Sequence, residues 1–529
     1  MATGMWTETE EAALAPYFTN LDGHVFALTN LPETVKGALF ARYSRSPKSL
    51  RRLFLDEFHS EVGAAPIASN VGLERAERLY ARVFNDFGDD SVAQLGGVHI
   101  AVENASNILT KVLERGRLMA YLEQSTRYIP YTERRGDSWR YLVPAELDGH
   151  PLRAEYIATL DAAFAIYARW IDPMRELFER KYPKAATDSD GVYRSVIRAK
   201  ALDTLRGLLP AATQSNVGIY GTGQAYEALL LRMRAHPLQE MRDSADQMLV
   251  ELRKVIPAFL IRVDQPDRGG VWTKYFADAR ARMLDVAARM SPSSAPEPAD
   301  EVTLTDFDPD GEVKVVAAAL YAATGRSDAE VMAIARGLSV DERQEVLDAY
   351  VGRRANRRHK PGRAFERTSY RFDVLTDYGA FRDLQRHRLM TIEWQRLTTA
   401  HGYIEPDAIG EAGAGAEWRE VMDRAASLQV RLVDAGLPDV SQYVVPMAYR
   451  VRFIMDMNAR EAMHVIELRT APAGHPAYRR VCQQMHTLIA DVAGHRAIAA
   501  AMSFADHSVV ELERLKEERR LEARRQAQT

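Results

Sequence analysis

An internal repeat constrains the fold of this chain more than any other feature of its sequence. Arg-x-Arg-Leu-Met occurs at Arg115 and again at Arg386. The surrounding stretches correspond in the same order, so that ALFARYSRS from Ala38 matches ALYAATGRS from Ala319. Because the repeated unit is much longer than the about 20–50 residues of a solenoid repeat, each copy is predicted to be a whole domain.

The chain length and one linker-like stretch suggest where the domains divide. A chain of 529 residues is long enough for two domains. The segment MSPSSAPEPADE, residues 290–301, is rich in Pro, Ser and Ala, which is typical of a linker. We therefore predict a first domain at residues 1–290, a linker at 291–306, a second domain at 307–505 and a charged helical tail at 506–529.

The hydrophobic pattern of each copy predicts a strand followed by a helix. In the second copy, Tyr370, Phe372 and Val374 alternate with polar residues, as in a half-buried strand. Thr376 or Asp377 can cap the helix that follows. The matching residues of the first copy are Val98, Ile100 and Val102 in the strand, and Asn104 or Ser106 at the cap. Each domain is predicted to be α/β (α+β), a twisted mixed sheet with helices, with its Arg-x-Arg element where a helix gives way to a loop.

Composition excludes several classes of protein. Hydrophobic residues make up 47% of the chain and charged residues 27%, which is typical of a soluble globular protein. The formal net charge of −4 argues against a generic nucleic-acid binder. Cys482 is the single cysteine, which fits a reducing cytoplasm, and its apolar surroundings predict core packing. We expect neither a signal peptide nor a membrane span, since no suitable apolar run is present.

Three switchable or cationic groups follow one another at Arg386, His387 and Arg388. Such a cluster is costly unless an anion or a carboxylate shares it, and phosphate matches guanidinium geometry well. An exposed helix end is the alternative interpretation. His359 and His464 raise the question of a metal, but we found no second ligand one turn beyond either, so no metal site is predicted.

These motifs resemble the flavin-dependent thymidylate synthase family. That family carries Arg-His-Arg, then x-x-Ser, then Glu and Ser-x-Arg. RHRLM at Arg386 matches the beginning of the signature, and EQSTRY at Glu123 matches its end. A family carboxylate about 20 residues before Arg-His-Arg corresponds to Glu366, since 386 − 366 = 20. NAREAMHVIELR and LRGLLP supply the further matches Asn458, Arg460, His464, Arg469 and Arg206.

Neither half matches the family completely, and the losses are complementary. The second half keeps the positions that hold flavin in the family, but has Arg396, Thr398 and Gln442 at positions of the nucleotide side. The first half keeps the nucleotide side, but has Gly116 in place of the signature histidine and Gly221 in place of an asparagine. The resemblance implies cofactor binding by Arg386, His387, Arg388, Asn458, His464 and Glu366. It implies substrate binding by Glu123, Ser125, Arg127, Arg206, Arg232 and Arg469, with Ser125, Arg127 and Arg469 in catalytic positions.

The resemblance also implies a reaction and an assembly. Family members use FAD to convert dUMP to dTMP, with methylenetetrahydrofolate as the carbon donor and NADPH as the reductant. They are homotetramers with sites between subunits, so two copies of this duplicated chain would form a homodimer that acts as a pseudo-tetramer. Two alternatives stay open: modification of another pyrimidine nucleotide, and a non-catalytic homologue that binds nucleotide or flavin.

Overall fold

The structure is a computed structural model that describes most of the chain. Residues 292–298 of the predicted linker lie outside the described residues, whereas Val302–Phe307 form a strand. The described residues are 6–31, 39, 43, 46–57, 59, 97–134, 136, 138–186, 188–291, 299–510, 512 and 514–527.

The chain divides into two compact units, and neither is continuous in sequence. Unit 1 consists of Met1–Arg169, Leu208–Ala295 and Asp423–Val445. Unit 2 consists of Trp170–Gly207, Pro296–Met422 and Pro446–Thr529. Each unit therefore contains a segment from the other half of the sequence. The predicted boundaries at residues 290 and 307 divide the sequence between its two repeats, and the compact units do not test them. These boundaries therefore stay a prediction.

Each unit contains a four-stranded sheet with the same topology. The strand orders are β1-β2-β4-β3 in unit 1 and β5-β6-β8-β7 in unit 2. The strands are β1 Val25–Ala27, β2 Gly97–Ser106, β3 Met119–Glu123, β4 Gln214–Thr222, β5 Val302–Phe307, β6 Ser369–Asp377, β7 Thr391–Trp394 and β8 Arg450–Asn458. The equal orders confirm the repeated mixed α/β fold.

The sheets differ from the expectation in one detail. Each strand pair among the described residues is antiparallel, rather than a mixture of parallel and antiparallel pairs. The burial pattern gives the physical reason, since buried and half-buried residues alternate along β8. Alternation of this kind is typical of an antiparallel sheet with one face on the core, whereas parallel strands are usually buried on both faces.

The described residues of both units also form helices. Those before residue 291 are α1 Glu8–Leu14, α2 Leu50–Glu57, α3 Asn107–Leu113, α4 Arg153–Lys181, α5 Asp190–Leu205, α6 Gly223–Arg234, α7 Gln239–Arg253 and α8 Gly269–Met290. Those after residue 299 are α9 Gly311–Thr324, α10 Asp328–Gly337, α11 Val340–Val351, α12 Tyr378–Leu384, α13 Asp407–Glu411, α14 Gly415–Asp434, α15 Ala459–Arg469, α16 Pro476–Asp491, α17 Arg496–Ala501 and α18 Leu515–Gln526. No helix in the described parts of the chain is long and apolar enough to cross a membrane.

The predicted strand residues form the core of unit 2. Tyr370, Phe372 and Val374 are fully buried on β6, and α16 packs against β5 and β6. Cys482 on α16 is buried as well, which confirms its predicted place in the core. Burial raises the pKa of the Cys482 thiol to about 12, so this side chain is protonated and unreactive at neutral pH.

Side-chain caps begin the two helices that lead to the Arg-x-Arg elements. The Asp377 carboxylate accepts a hydrogen bond from the Ala380 amide, and the Ser106 hydroxyl accepts one from the Leu109 amide. Both bonds satisfy amides at a helix start that have no partner within the helix. Because α3 and α12 end just before the elements, the prediction of a helix giving way to a loop is confirmed.

Candidate functional site

Backbone contacts in unit 2 fix the short helix that leads to Arg386. The Tyr378 amide donates to the Tyr449 carbonyl at 2.9 Å, and the Gly379 amide donates to the Met447 carbonyl at 3.1 Å. With the Asp377 cap, these bonds hold the first turn of α12 against the start of β8. The loop that follows α12 therefore presents Arg386 from a fixed position.

His387 is buried and hydrogen-bonded at one ring nitrogen. Only 6% of this residue is exposed. Arg469 Nε donates to His387 Nε2 at 2.9 Å. Because a guanidinium can only donate, Nε2 accepts, and the proton of the neutral ring lies on Nδ1. That Nδ1 atom is 3.6 Å from Glu461 Oε1.

One carboxylate lies between the two arginines of this cluster. Asp383 Oδ1 is 3.7 Å from Arg386 Nη1 and 3.7 Å from Arg469 Nη1. Arg469 also donates to the Asp383 carbonyl. Two guanidinium groups thus lie beside the same carboxylate, and guanidinium groups are the donors that match phosphate and carboxylate ligands.

Glu461 joins two histidines. His464 Nδ1 lies 3.3 Å from Glu461 Oε2, and the rings of His387 and His464 are 5.3 Å apart. Burial raises the pKa of Glu461, but the favourable interactions with His387 and His464 outweigh burial and lower it to about 2. Burial, with the nearby charges of Arg469 and His464, lowers the pKa of His387 to about 4. At neutral pH the carboxylate is charged and His387 is neutral.

The ligand atoms of Glu461, His387 and His464 are also close enough to hold a metal ion, within 4.8 Å of one another. The contact from Arg469 opposes that reading. A metal on His387 Nδ1 would move the ring proton to Nε2, where it would point at the Arg469 N–H. We therefore interpret the cluster as a hydrogen-bonded group.

The sequence reasoning missed Asp383 and Glu461. Asp383 is one helical turn before Arg386, and Glu461 is three residues before His464. Residues three apart lie on the same face of a helix. The spacing of Glu461 and His464 on α15 is therefore the signal that could have identified this pair.

The other predicted cofactor residues lie in the same unit. Asn458 caps α15 and accepts a hydrogen bond from the Glu461 amide at 2.9 Å. Glu366 lies 3.3 Å from Arg460, and Arg388 is exposed. Unit 2 thus holds each predicted cofactor residue: Glu366, Arg386, His387, Arg388, Asn458 and His464.

The predicted substrate residues are divided between the units. Glu123, Ser125, Arg127 and Arg232 belong to unit 1, whereas Arg206 and Arg469 belong to unit 2. Arg206 Nη1 is 3.3 Å from Asp203. Arg206 lines a cavity of about 450 Å³, together with Asp377, Trp418 and His475.

In unit 1 the carboxylate of Glu123 lies beside a buried lysine. Lys111 Nζ donates to Glu123 Oε2 at 3.3 Å and also pairs with Glu114. The neighbouring Ser125 hydroxyl accepts from the Arg127 amide at 3.3 Å. Glu123 therefore stabilises the end of β3 whether or not it also meets a ligand.

In the first repeat, Tyr121 occupies space that a side chain at position 116 would need. A Cβ atom on Gly116 would lie 2.6 Å from the Tyr121 hydroxyl oxygen. That hydroxyl donates to the Gly116 carbonyl at 2.8 Å. A side chain at position 116 would therefore displace Tyr121.

The structure corrects the equivalent of Asn458 in the first repeat. Asn458 pairs with the first residue of β6 and caps α15. Thr222 pairs with the first residue of β2 and caps α6. Thr222, rather than Gly221, therefore takes the place of the asparagine, because the cap position fixes the alignment.

We expect unit 2 to lose stability as the pH falls below about 6.5. An unfolded chain protonates His387 near pH 6.5, whereas the folded chain does so near pH 4. The unfolded state then binds more protons, so the free energy of unfolding falls by about 2 kcal/mol from pH 6.5 to pH 5. Urea unfolding of the wild type and of His387→Gln at both pH values checks this. An equal pH dependence in the two proteins would contradict it.

Parts of this chain are similar in sequence to a protein family and to several known proteins. A family model described as "Thymidylate synthase complementing protein" matches residues 38–258 and 303–494. A UPF0159 protein of Chlamydia muridarum is 37% identical over 98% of this chain and 99% of its own length. A flavin-dependent thymidylate synthase of Clostridium tetani is 25% identical over 41% of this chain and 81% of its own length. A solved UMP/dUMP methylase from Streptomyces cacaoi, bound with 5-Br dUMP, covers 40% of this chain and 99% of that one, at 21% identity and a TM-score of 0.30.

Proposed function

This chain belongs to the thymidylate synthase complementing protein family, and on that premise we propose that it is a flavin-dependent methylase of a pyrimidine nucleotide. The specific reaction is conversion of dUMP to dTMP, with methylenetetrahydrofolate as the carbon donor and NADPH as the reductant. One observation carries the proposal: Arg386 and Arg469 both lie 3.7 Å from the carboxylate of Asp383 in unit 2, and Arg469 also donates a hydrogen bond to His387.

The residues of this cluster fit an anionic cofactor. Arg386, Arg388 and Arg469 offer fork-shaped donors of the kind that binds phosphate groups. His464 is partly exposed beside them, on the same helix as Arg469. FAD, when bound, would supply hydride-transfer chemistry, and the protein would bind and orient it. His387 and Asp383 would hold the arginines in place.

The nucleotide side of the proposal uses the substrate residues that the family resemblance implies. Ser125, Arg127, Arg206 and Arg232 come from the first half of the sequence and Arg469 from the second, and they would meet where two chains contact each other. A dianionic phosphate needs about two or more guanidinium groups with a hydroxyl donor, and each charge-assisted bond contributes about 1.5–3 kcal/mol. Glu123 would also bind the nucleotide, and its carboxylate contacts Lys111 in this structure.

We propose that two chains assemble into a homodimer in the cytoplasm, with complete sites formed from complementary repeats. The losses at Gly116 and at Thr398 fall on opposite sides of the implied site, which supports this assembly. If residues are shared between chains, mixing Arg127→Ala with Arg386→Ala protein restores part of the activity that each lacks.

A second candidate function is binding without catalysis, or action on another pyrimidine nucleotide. Arg396 and Thr398 stand where the family has the signature serine and arginine, and these substitutions favour that reading. A protein that binds FAD but gives no product from dUMP would support it.

The test is the visible spectrum of the purified full chain with added FAD, followed by titration with dUMP. We expect a yellow protein whose flavin spectrum changes with dUMP. Arg386→Ala should weaken FAD binding at least tenfold, while Arg127→Ala should keep FAD and weaken dUMP binding at least tenfold. Arg326→Ala, at an exposed arginine paired with Glu330, is the control and should change neither. A colourless wild-type protein that takes up no FAD would end the proposal.

A further inference from the structure

We propose that Glu461 is a positioning residue that fixes the tautomer of His387 and thereby aims Arg469. The inference rests on the proposed function, since the family resemblance gives Arg469 its place beside the nucleotide. Glu461 would act through the imidazole, without touching substrate or cofactor itself.

The carboxylate of Glu461 lies beside the imidazole rings of His387 and His464. It sits in the first turn of α15 and is only 5% exposed. Oε1 is 3.6 Å from His387 Nδ1, and Oε2 is 3.3 Å from His464 Nδ1. A buried carboxylate needs partners of this kind, because an isolated buried charge is costly.

The tautomer follows from the two sides of the His387 ring. A carboxylate at Nδ1 favours a proton there, and a neutral ring with Nδ1–H has a lone pair on Nε2. Arg469 Nε donates to that lone pair at 2.9 Å. In the opposite tautomer, the Nε2–H of His387 would point at the Nε–H of Arg469. The Nδ1–H tautomer avoids this clash and also directs its proton towards Glu461.

The charged groups around the pair agree with this assignment. Lys360 and His464 act favourably on Glu461, while Arg469 disfavours a charge on His387. The pKa of Glu461 is about 2 and that of His387 about 4. The arrangement of charged carboxylate and neutral imidazole therefore holds throughout the range from about pH 5 to pH 8.

Unit 1 lacks both members of the pair. Gly116 stands in the position of His387. The residue whose amide donates to the helix cap is Ala225 in unit 1, where unit 2 has Glu461. The carboxylate and the imidazole are thus present together in one repeat and missing together from the other, as expected if one serves the other.

The test is nitrogen NMR of the full chain with labelled histidine, with His387 assigned from the signal that His387→Gln removes. We expect the Nδ1–H tautomer in the wild type and its loss in Glu461→Met, with Glu461→Gln keeping part of it because an acceptor oxygen remains. His464→Gln is the matched control, since it removes the other partner of the same carboxylate and should leave the tautomer of His387 unchanged.

A binding measurement accompanies the spectra. Glu461→Met should raise the dissociation constant of dUMP at least tenfold. The inference would be wrong if His387 were the Nε2–H tautomer in the wild type, or if its tautomer were the same in Glu461→Met as in the wild type. Chemical-shift changes of both His387 and His464 on adding zinc would also overturn it. The NMR result does not require bound nucleotide, so failure of the proposed function and failure of this inference are distinguishable.

Discussion

Replacing Arg354 by methionine is expected to destabilise unit 2 by about 3–5 kcal/mol, because it leaves a buried carboxylate without its cation. Arg354 Nη1 and Nη2 each donate to one oxygen of Glu467 at 2.6 Å. The two side chains are only 3% and 2% exposed. The same guanidinium donates to the carbonyls of His359 and Ala501, so the substitution also removes two backbone contacts.

Denaturant unfolding of full-length Arg354→Met against the wild type measures this loss. Arg326→Met is the control, because its partner Glu330 is an exposed residue one helical turn away, and such pairs contribute about 0.3–0.5 kcal/mol. Arg354→Met combined with Glu467→Leu should recover much of the loss. A cost below about 1 kcal/mol for the single variant would contradict the argument. Because Glu467 lies on α15 between His464 and Arg469, the pair also anchors the helix of the candidate site.

A comparable loss, about 3–5 kcal/mol, is expected for Lys111→Met in unit 1. Lys111 is 3% exposed on its side chain, and Glu114 and Glu123 are fully buried beside it. Removing the ammonium takes away a cation that contacts both buried carboxylates, and a buried charge is costly when it loses such a contact. The free energy of unfolding from urea titration is the measurement.

The control and a double variant separate this structural role from ligand binding. Lys48→Met removes an exposed ammonium that pairs with Asp56, and its effect should stay below about 1 kcal/mol. Glu123→Gln in the Lys111→Met background should recover part of the lost stability, because it removes the charge of one of the two buried carboxylates. If Glu123→Gln alone abolished dUMP binding without loss of stability, the lysine contact would not be its main role.

The sequence predicted those parts of the fold that depend on local pattern. Alternation at Tyr370, Phe372 and Val374 identified a strand. Two short polar residues were candidates for each helix cap, and the structure selects Asp377 over Thr376 and Ser106 over Asn104. These signals lie within a few residues of the structure they specify. The repeat itself was visible because both copies keep elements in the same order.

The remaining features depend on contacts between distant segments. Arg206 belongs to unit 2, although the residues from Leu208 onwards belong to unit 1. No local sequence pattern marks this change of unit, so the sequence could not predict it. The contact between His387 and Arg469 joins residues that are 82 positions apart. A sequence motif predicted that Glu123 binds the nucleotide. The contact of Glu123 with Lys111 depends on how β3 packs against α3, which the sequence alone does not show.

The Tyr121 contact with Gly116 couples two positions of the first repeat to each other. A histidine at position 116 would require the Tyr121 hydroxyl to move, and replacing Tyr121 alone would remove its hydrogen bond to the Gly116 carbonyl. A first repeat that regained the signature histidine would therefore have to accommodate it by a change at Tyr121 as well.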